Sequence, residues 1–354
     1  MPSYRNTPYF VNLTGGFGGF NNPGGQVFYV GASGWTAYRG KAPSDSNDGQ
    51  SPQTAFSSIQ KGLDSCVSGR GDVVAVLPGS YTVTAAITMT NDDVTLCSAV
   101  PVGARSYGPV TIVNATDVNT LTVNANNCKV IGLVFDDNVA TATAGTAAIA
   151  VNTGNDGVDY TGVVIENCWI DMAGSDTDRD GITLGLTADA NDGAIGAIVR
   201  GCVIYDCEQD AIHINVGSDY AIVDNCLIWD DGTRLTRYGV EVLAVGCLVK
   251  DCDISVSDTA TAGACVHNGV AAARLRVLNC RLQAMGADTF GILAIATATQ
   301  HTSANWITTV AAGNMVDYTT DNTTPSADAF VSNFFQANAA VSLLDQSTVG
   351  GADA

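Results

Sequence analysis

The chain has 354 residues, with 35 Asp and Glu against 15 Lys and Arg, for a formal net charge of −20. That acidity argues against binding a nucleic-acid phosphate backbone, and no apolar run is long enough to insert through a membrane. Charged residues are only 14% of the chain, beside 38 glycines and 11 cysteines, so much of the surface must be built from small, uncharged side chains.

Residues 1–26 interleave Gly15-Gly16, Gly18-Gly19 and Gly24-Gly25 with Tyr4, Tyr9, Phe10, Phe17 and Phe20. This is too aromatic for a plain linker and too glycine-rich for a packed element. It is expected to be an attachment arm that orders against another surface, or else a tail that wraps its own domain. Met1 to Asn6 leads into no apolar signal core, so synthesis in a reducing cytoplasm is expected. Gln26–Val30 has the pattern of a first strand, and Asp45-Ser46-Asn47-Asp48-Gly49 that of a turn. From Thr54 to Val67, Phe56, Ile59, Leu63 and Cys66 recur at helical spacing. The helix this predicts would cover the open end of whatever follows.

The same region carries a resemblance. Asp48-Gly49, Ser51-Pro52, Ala55-Phe56, Ile59-Gln60, Gly71-Asp72-Val73-Val74 and Pro78-Gly79-Ser80-Tyr81 resemble the opening of right-handed parallel β-helix proteins of the pectin-lyase-like group. Their usual form is DG-SP-AF-IQ, then GD-V-V and PG-Y. The resemblance covers roughly residues 45–320. It implies the fold rather than an activity, because the group includes lyases, hydrolases, epimerases, phage tailspikes and inert virion proteins. A compact chain with a glycine-rich arm and no signal peptide is most similar to tailed-phage virion decoration or spike proteins.

The middle of the chain supports that fold independently. Cys128, Cys168, Cys202, Cys226, Cys252 and Cys280 can be aligned as near-repeats, with apolar residues two after, three before and five before each. These offsets describe two period-2 strands whose phase slips at a corner pair such as Glu166-Asn167 or Asp224-Asn225. A further short strand follows each of four: Gly181–Leu184, Ala211–Ile214, Gly239–Val242 and Gly291–Leu293. Three short strands per variable-length repeat predict a parallel β-helix. The cysteines are expected to be buried, reduced thiols. Inward positions about 4.8 Å apart do not match the roughly 3.8 Å Cβ separation of a disulfide. The alternative is a zinc site with paired ligands from Cys202 and Cys207 and from Cys247 and Cys252, although neither pair is CxxC and no His cluster accompanies them.

The loops before those short strands collect acids: Asp171, Asp176, Asp178 and Asp180, then Asp206, Glu208 and Asp210, then Asp230 and Asp231. Asp180 and Asp210 each precede the small residue that opens a strand. Stacked about 4.8 Å apart, they approach the roughly 5–5.5 Å of a retaining glycosidase pair. With Glu208 and His213 they are the catalytic candidates; they would also suit a Ca²⁺ ion, although turn chemistry alone explains Asp before Gly. Thr183, His213 and Glu241 fall on one outward column that could bind a polar ligand such as a sugar. Arg179, Arg234 and Arg237 lie nearby, whereas His267 and His301 look isolated.

After about residue 296 the repeat fades. The expected organisation is an arm (1–26), a parallel β-helix with its cap (27–320) and a C-terminal cap or oligomerisation segment (321–354). The leading expectation is a non-enzymatic virion protein of a tailed phage, a capsid decoration or spike. It would be homotrimeric, without cofactor, joined to capsid or tail through the arm and able to meet a cell-surface polysaccharide. The alternative is a tailspike-type polysaccharide lyase or glycoside hydrolase.

Overall fold

The computed structural model describes residues 24–35, 41–137, 146–154, 157–172, 179–186, 192–230, 237–257, 263–269, 274–285, 289–294, 300–309, 316–318, 330–331 and 334–337. Among these, three long sheets run side by side. The first has 11 strands, from Val27–Val30 to Phe330–Val331; the second has 10, from Gly79–Val83 to Phe334–Ala337; the third has 9, from Ile87–Met89 to Val316–Tyr318. Each strand pairs in parallel with its counterparts one coil before and one coil after. The chain visits the sheets in turn and begins again, so it is a parallel β-helix. The hydrogen-bonded ladders continue to Ala337, past the boundary at 320 that the fading pattern suggested. Tyr4, Tyr9, Phe10, Phe17 and Phe20 lie outside the described residues.

The corner between the first and second sheets is made by one residue in the left-handed region: Asn167 (φ 54°), Gly201 (62°), Asn225 (52°), Asp251 (56°), Asn279 (54°) and Ala304 (56°). A side chain usually opposes this conformation by about 1–2 kcal/mol, and Asn and Asp tolerate it best. Glu166, expected in the corner, remains in the strand Val164–Glu166. Corner side chains also contact along the axis. Asn279 Nδ2 donates to Asp251 Oδ1 at 2.6 Å, and a Cβ on Gly201 would lie 2.4 Å from Asn167 Oδ1. Glycine stands where the preceding asparagine fills the space.

Immediately after five of these corners comes an inward cysteine. The thiols of Cys168, Cys202, Cys226, Cys252 and Cys280 each lie between two carbonyls: that of Glu166, Arg200, Asp224, Lys250 or Leu278, two residues before, at 3.1–3.5 Å, and that of Val130, Ile165, Val199, Val223 or Val249, one coil earlier, at 3.7–3.8 Å. In the next coil Asn305 takes the cysteine position. Its amide donates to Val277 O at 2.9 Å and accepts from Cys280 N at 2.8 Å. All 11 cysteines are free and buried, as expected.

Cys128 does not belong to this column. Lys129 pairs with Val164, so Cys128 opens a first-sheet strand at the other corner, level with Val163, Ala197, Ala221 and Cys247. Trp169 pairs with Val134, and Leu133 holds the position equivalent to Cys168. Both corners place a left-handed Asn before an inward small residue (Asn127 has φ 54°). The strings Asn127-Cys128-Lys129-Val130 and Asn167-Cys168-Trp169-Ile170 therefore look alike although they sit on different edges.

At the N-terminal end the helix is shorter than its periodicity predicts, spanning Ile59–Asp64 after a 3₁₀ turn at Pro52–Thr54. Ser58 caps it by accepting from Lys61 N. Phe56 is not helical; it bridges to Val30. Ile59 and Leu63 are buried, and a Cβ on Gly62 would meet Val74 at 2.9 Å and Val30 at 3.0 Å. The helix thus lies directly on the first two strands of the first sheet.

A second long-range tie runs down the corner. Arg105, from the connection between Thr95–Ser98 and Val110–Asn114, gives its backbone N–H to Gly201 O at 2.8 Å. Its guanidinium donates to the carbonyls of Asn225 (3.1 Å), Cys226 (3.0 Å) and Asp251 (3.3 Å).

Thiol titration checks the core. Native protein should react negligibly with a bulky disulfide reagent, and denaturation without reductant should expose all 11 thiols per chain. Recovery of only a few would mean that disulfides exist.

Candidate functional site

The outer face of the third sheet carries a continuous row of side chains. Register places Ala150, Thr183, His213, Glu241, His267 and Leu293 side by side on successive strands. The flanking Ile212 and Ile214 point into the core, so the expected outward column of Thr183, His213 and Glu241 is present, and it continues on both sides to Ala150 and to His267 and Leu293. His267 is not isolated. Its segment, Ala264-Cys265-Val266-His267, repeats Asp210-Ala211-Ile212-His213, which was the signal available in the sequence.

Asp180 and Asp210 are not loop residues; each is the first residue of its strand, 5% and 1% exposed. Strict alternation would aim them away from Thr183 and His213. A phase slip prevents this, because two consecutive residues point inward, as in Ala211-Ile212 and Cys265-Val266, and the ladder skips the first of them. The slip requires a small residue: a Cβ on Gly181 would lie 2.7 Å from Ile204 Cγ2, and one on Gly239 2.4 Å from Ile254 Cγ2. Asp before Gly here reflects core space as much as turn chemistry.

The result is a closed network. His213 Nδ1 lies 2.7 Å from Asp210 Oδ2, 3.1 Å from Glu241 Oε2 and 3.9 Å from Asp180 Oδ2. Its Nε2 lies 2.9 Å from Asn215 Oδ1, while Asn215 Nδ2 donates to Gly185 O at 2.9 Å. That second bond orients the amide, so Nε2 carries a hydrogen. Thr183 donates its hydroxyl to Asp180 Oδ2 at 2.9 Å, and Asp180 Oδ1 accepts the Asp210 N–H at 3.2 Å. His267 Nδ1 lies 3.0 Å from Glu241 Oε1, and its ring stacks on Tyr238 with centroids 4.2 Å apart. Side chains of His213, Glu241 and His267 are only 13%, 10% and 14% exposed.

Electrostatics follow from three carboxylates crowding one imidazole. Burial pulls the His213 pKa down, but the Asp210 hydrogen bond and the charges of Asp180, Asp210 and Glu241 outweigh it, carrying it to about 9. Burial pushes Asp210 up, and the Asp180 and Glu241 carboxylates add to this against its bond to His213, giving about 8. Burial also raises Asp180, opposed by the His213 charge. Glu241 moves down despite its burial, because His267 and His213 favour its anion.

The other candidates stand apart. Glu208 lies two residues before Asp210 in the turn, half-buried, and is not in the group formed by Asp180, Asp210 and His213, whose donor atoms lie within 4.8 Å of one another. Arg179 is 1% exposed and faces Asp137 at 2.6 Å, so it does not reach toward solvent. Arg234, Asp176, Asp178 and Asp231 are outside the described residues. Arg237 lies over the Tyr238 ring at 4.6 Å. Tyr238 is buried at 4%, whereas Trp229 is 37% exposed and packs on Tyr205 with centroids 4.4 Å apart.

No family profile matches the chain, and no curated protein matches it by sequence. Among solved structures it is similar to pectate lyase Pel9A, at 13% identity and a TM-score of 0.53, over 93% of this chain and 85% of that one. The chain has the right-handed parallel β-helix fold. It is also similar to a rhamnogalacturonan lyase (12% identity, TM-score 0.44, 89% and 88% covered) and to an alginate lyase from Paenibacillus (14%, 0.45, 73% and 94%). Identities this low establish the fold and leave the chemistry to the residues.

The pKa directions set a pH dependence. His213 and Asp210 both hold their protons in the folded state above their ordinary values of 6.5 and 3.8. The associated stability is full below those ordinary values and is lost as pH rises through about 8 and 9. In EDTA, the melting temperature should therefore fall between pH 6.5 and 9.5, and Asp210→Asn should flatten the decline. An unchanged slope in the variant would contradict the assignment.

Proposed function

We propose that this β-helix is a non-catalytic structural protein of a tailed-phage virion, displayed as a capsid decoration or spike. The observation that carries the non-catalytic part is the closure of the outer-face network. Each His213 nitrogen faces an oxygen of the network at 2.9 Å or less, and its members are hidden rather than lining a cleft. A general acid or base must reach its substrate within about 2.6–3.2 Å, and here those positions are already filled by Asp210 and Asn215. The virion assignment is supported by the aromatic, glycine-rich arm on a compact β-helix chain, the combination in which it resembles tailed-phage virion proteins. Aromatic side chains would supply most of the buried area when such an arm docks. A homotrimer fits the sparsely charged faces, since closed symmetry buries one face per chain and stops further growth.

A second reading, a polysaccharide lyase or glycoside hydrolase, is favoured by Asp210. A carboxyl lifted to about 8 beside other carboxylates is the kind of group that acid–base chemistry uses, and pectate lyase Pel9A shares the fold.

Two experiments separate these readings. Wild-type protein incubated with polyuronates and neutral polysaccharides should release neither unsaturated sugars nor reducing ends. Robust turnover, abolished by Asp180→Asn with Asp210→Asn, would establish the enzyme. Deleting residues 1–23, which spares Gln26 and its bonds to Asp72 and Val73, should leave a trimer by light scattering with an unchanged melting temperature, yet prevent incorporation into particles. Normal incorporation of the truncated chain would remove the role given to the arm.

A further inference from the structure

We propose that Asp180, Asp210, His213 and Glu241 form a binding site for one first-row divalent transition metal, which pins three successive coils. The proposal does not depend on whether the protein turns over a polysaccharide.

The geometry begins with the imidazole. Asn215 accepts from His213 Nε2–H, and its own orientation is locked by Gly185 O. The nitrogen left to face the cluster is Nδ1, and a metal-binding histidine is usually held this way, with its other N–H donated to a fixed oxygen. Around Nδ1 stand carboxylate oxygens from three coils, at 2.7, 3.1 and 3.9 Å. Ligand atoms about 2.0–2.2 Å from a tetrahedral ion lie roughly 3.3–3.6 Å from one another. The observed separations bracket that value, and the 2.7 Å contact must open slightly. The carboxylates are oriented in turn: Thr183 donates to Asp180, and His267 faces the second oxygen of Glu241.

An independent observation points to a missing partner. Asp210 is 1% exposed, yet its Oδ1 has no hydrogen-bond partner. Buried carboxylate oxygens are rarely left unmatched. A cation here would take the place of the protons that His213 and Asp210 hold. Metal entry expels the Nδ1 proton and the Asp210 carboxyl proton to solvent, so the exchange needs no other reactant.

The donor set also selects the ion. Ca²⁺ prefers six to eight oxygens at about 2.3–2.6 Å, whereas this cluster is centred on an imidazole nitrogen, grouped with Asp180 and Asp210 and with Glu241 Oε2 at 3.1 Å from Nδ1. Imidazole with carboxylates suits Zn²⁺ or Mn²⁺, and the usual affinity order places Zn²⁺ above Mn²⁺. The carboxylates that in the sequence would also suit Ca²⁺ thus belong to a donor set that favours a nitrogen-preferring metal.

The test uses the full, untagged chain after EDTA treatment. Equilibrium dialysis against micromolar Zn²⁺, read by elemental analysis, should find one Zn²⁺ per chain and a raised melting temperature. Excess Ca²⁺ should not displace it. His213→Gln and Glu241→Gln, checked for folding by circular dichroism, should each weaken binding at least tenfold, while Glu166→Gln should not. Wild type without stoichiometric Zn²⁺ would overturn the proposal. So would binding that survives His213→Gln, which would mark an adventitious ion on an acidic surface.

Discussion

The body of the fold depends on a single backbone choice repeated in successive coils from Asn167 to Ala304: one residue in the left-handed region between the first and second sheets. It redirects the chain within one step and leaves the following side chain pointing inward. Because these coils turn at the same place, their strands stack in register and bond along the axis. The interior then presents identical positions to identical positions. Cysteine suits the inward corner site because its thiol is small and apolar yet can donate weakly to the carbonyls beside it, two residues before and one coil earlier. Asn305 shows what the position accepts instead: a side chain that still reaches Val277 O, at 2.9 Å.

Against this regular interior the outer face of the third sheet is unusual. Outward residues of a β-helix normally meet water, yet Asp180, Asp210, His213 and Glu241 are largely hidden and interact with one another. Their proximity comes from the phase slip that points two consecutive residues inward. Without it Asp210 would face away from His213, and the network would not exist. The small residue that the core demands and the polar cluster outside are therefore consequences of the same local geometry.

The fold was largely legible from the sequence, because period-2 strands and left-handed corner residues leave local signatures. The misplacement of Cys128 shows the limit. Two different corners use the same Asn-Cys string, and only strand register, a nonlocal property, separates them. The helix was overestimated because Phe56 belongs to the same apolar surface without sharing the helical backbone. At the site, the Thr183–His213–Glu241 column followed from alternation alone. The inward slip breaks that alternation, so the direction of Asp180 and Asp210 was not readable. Asn215, which orients His213, had no signal because its role lies in a contact across coils to Gly185.

Arg105 alters what kind of polymer this solenoid is. A stack of coils held only by nearest neighbours can fray or grow one coil at a time, like beads added to a string. Arg105 instead reaches carbonyls at Asn225, Cys226 and Asp251, more than a hundred residues ahead in sequence. Its bonds cannot form until those later coils are laid down, and they hold only while the coils between keep their pitch. The clasp converts a chain of local equilibria into a block that assembles and comes apart together.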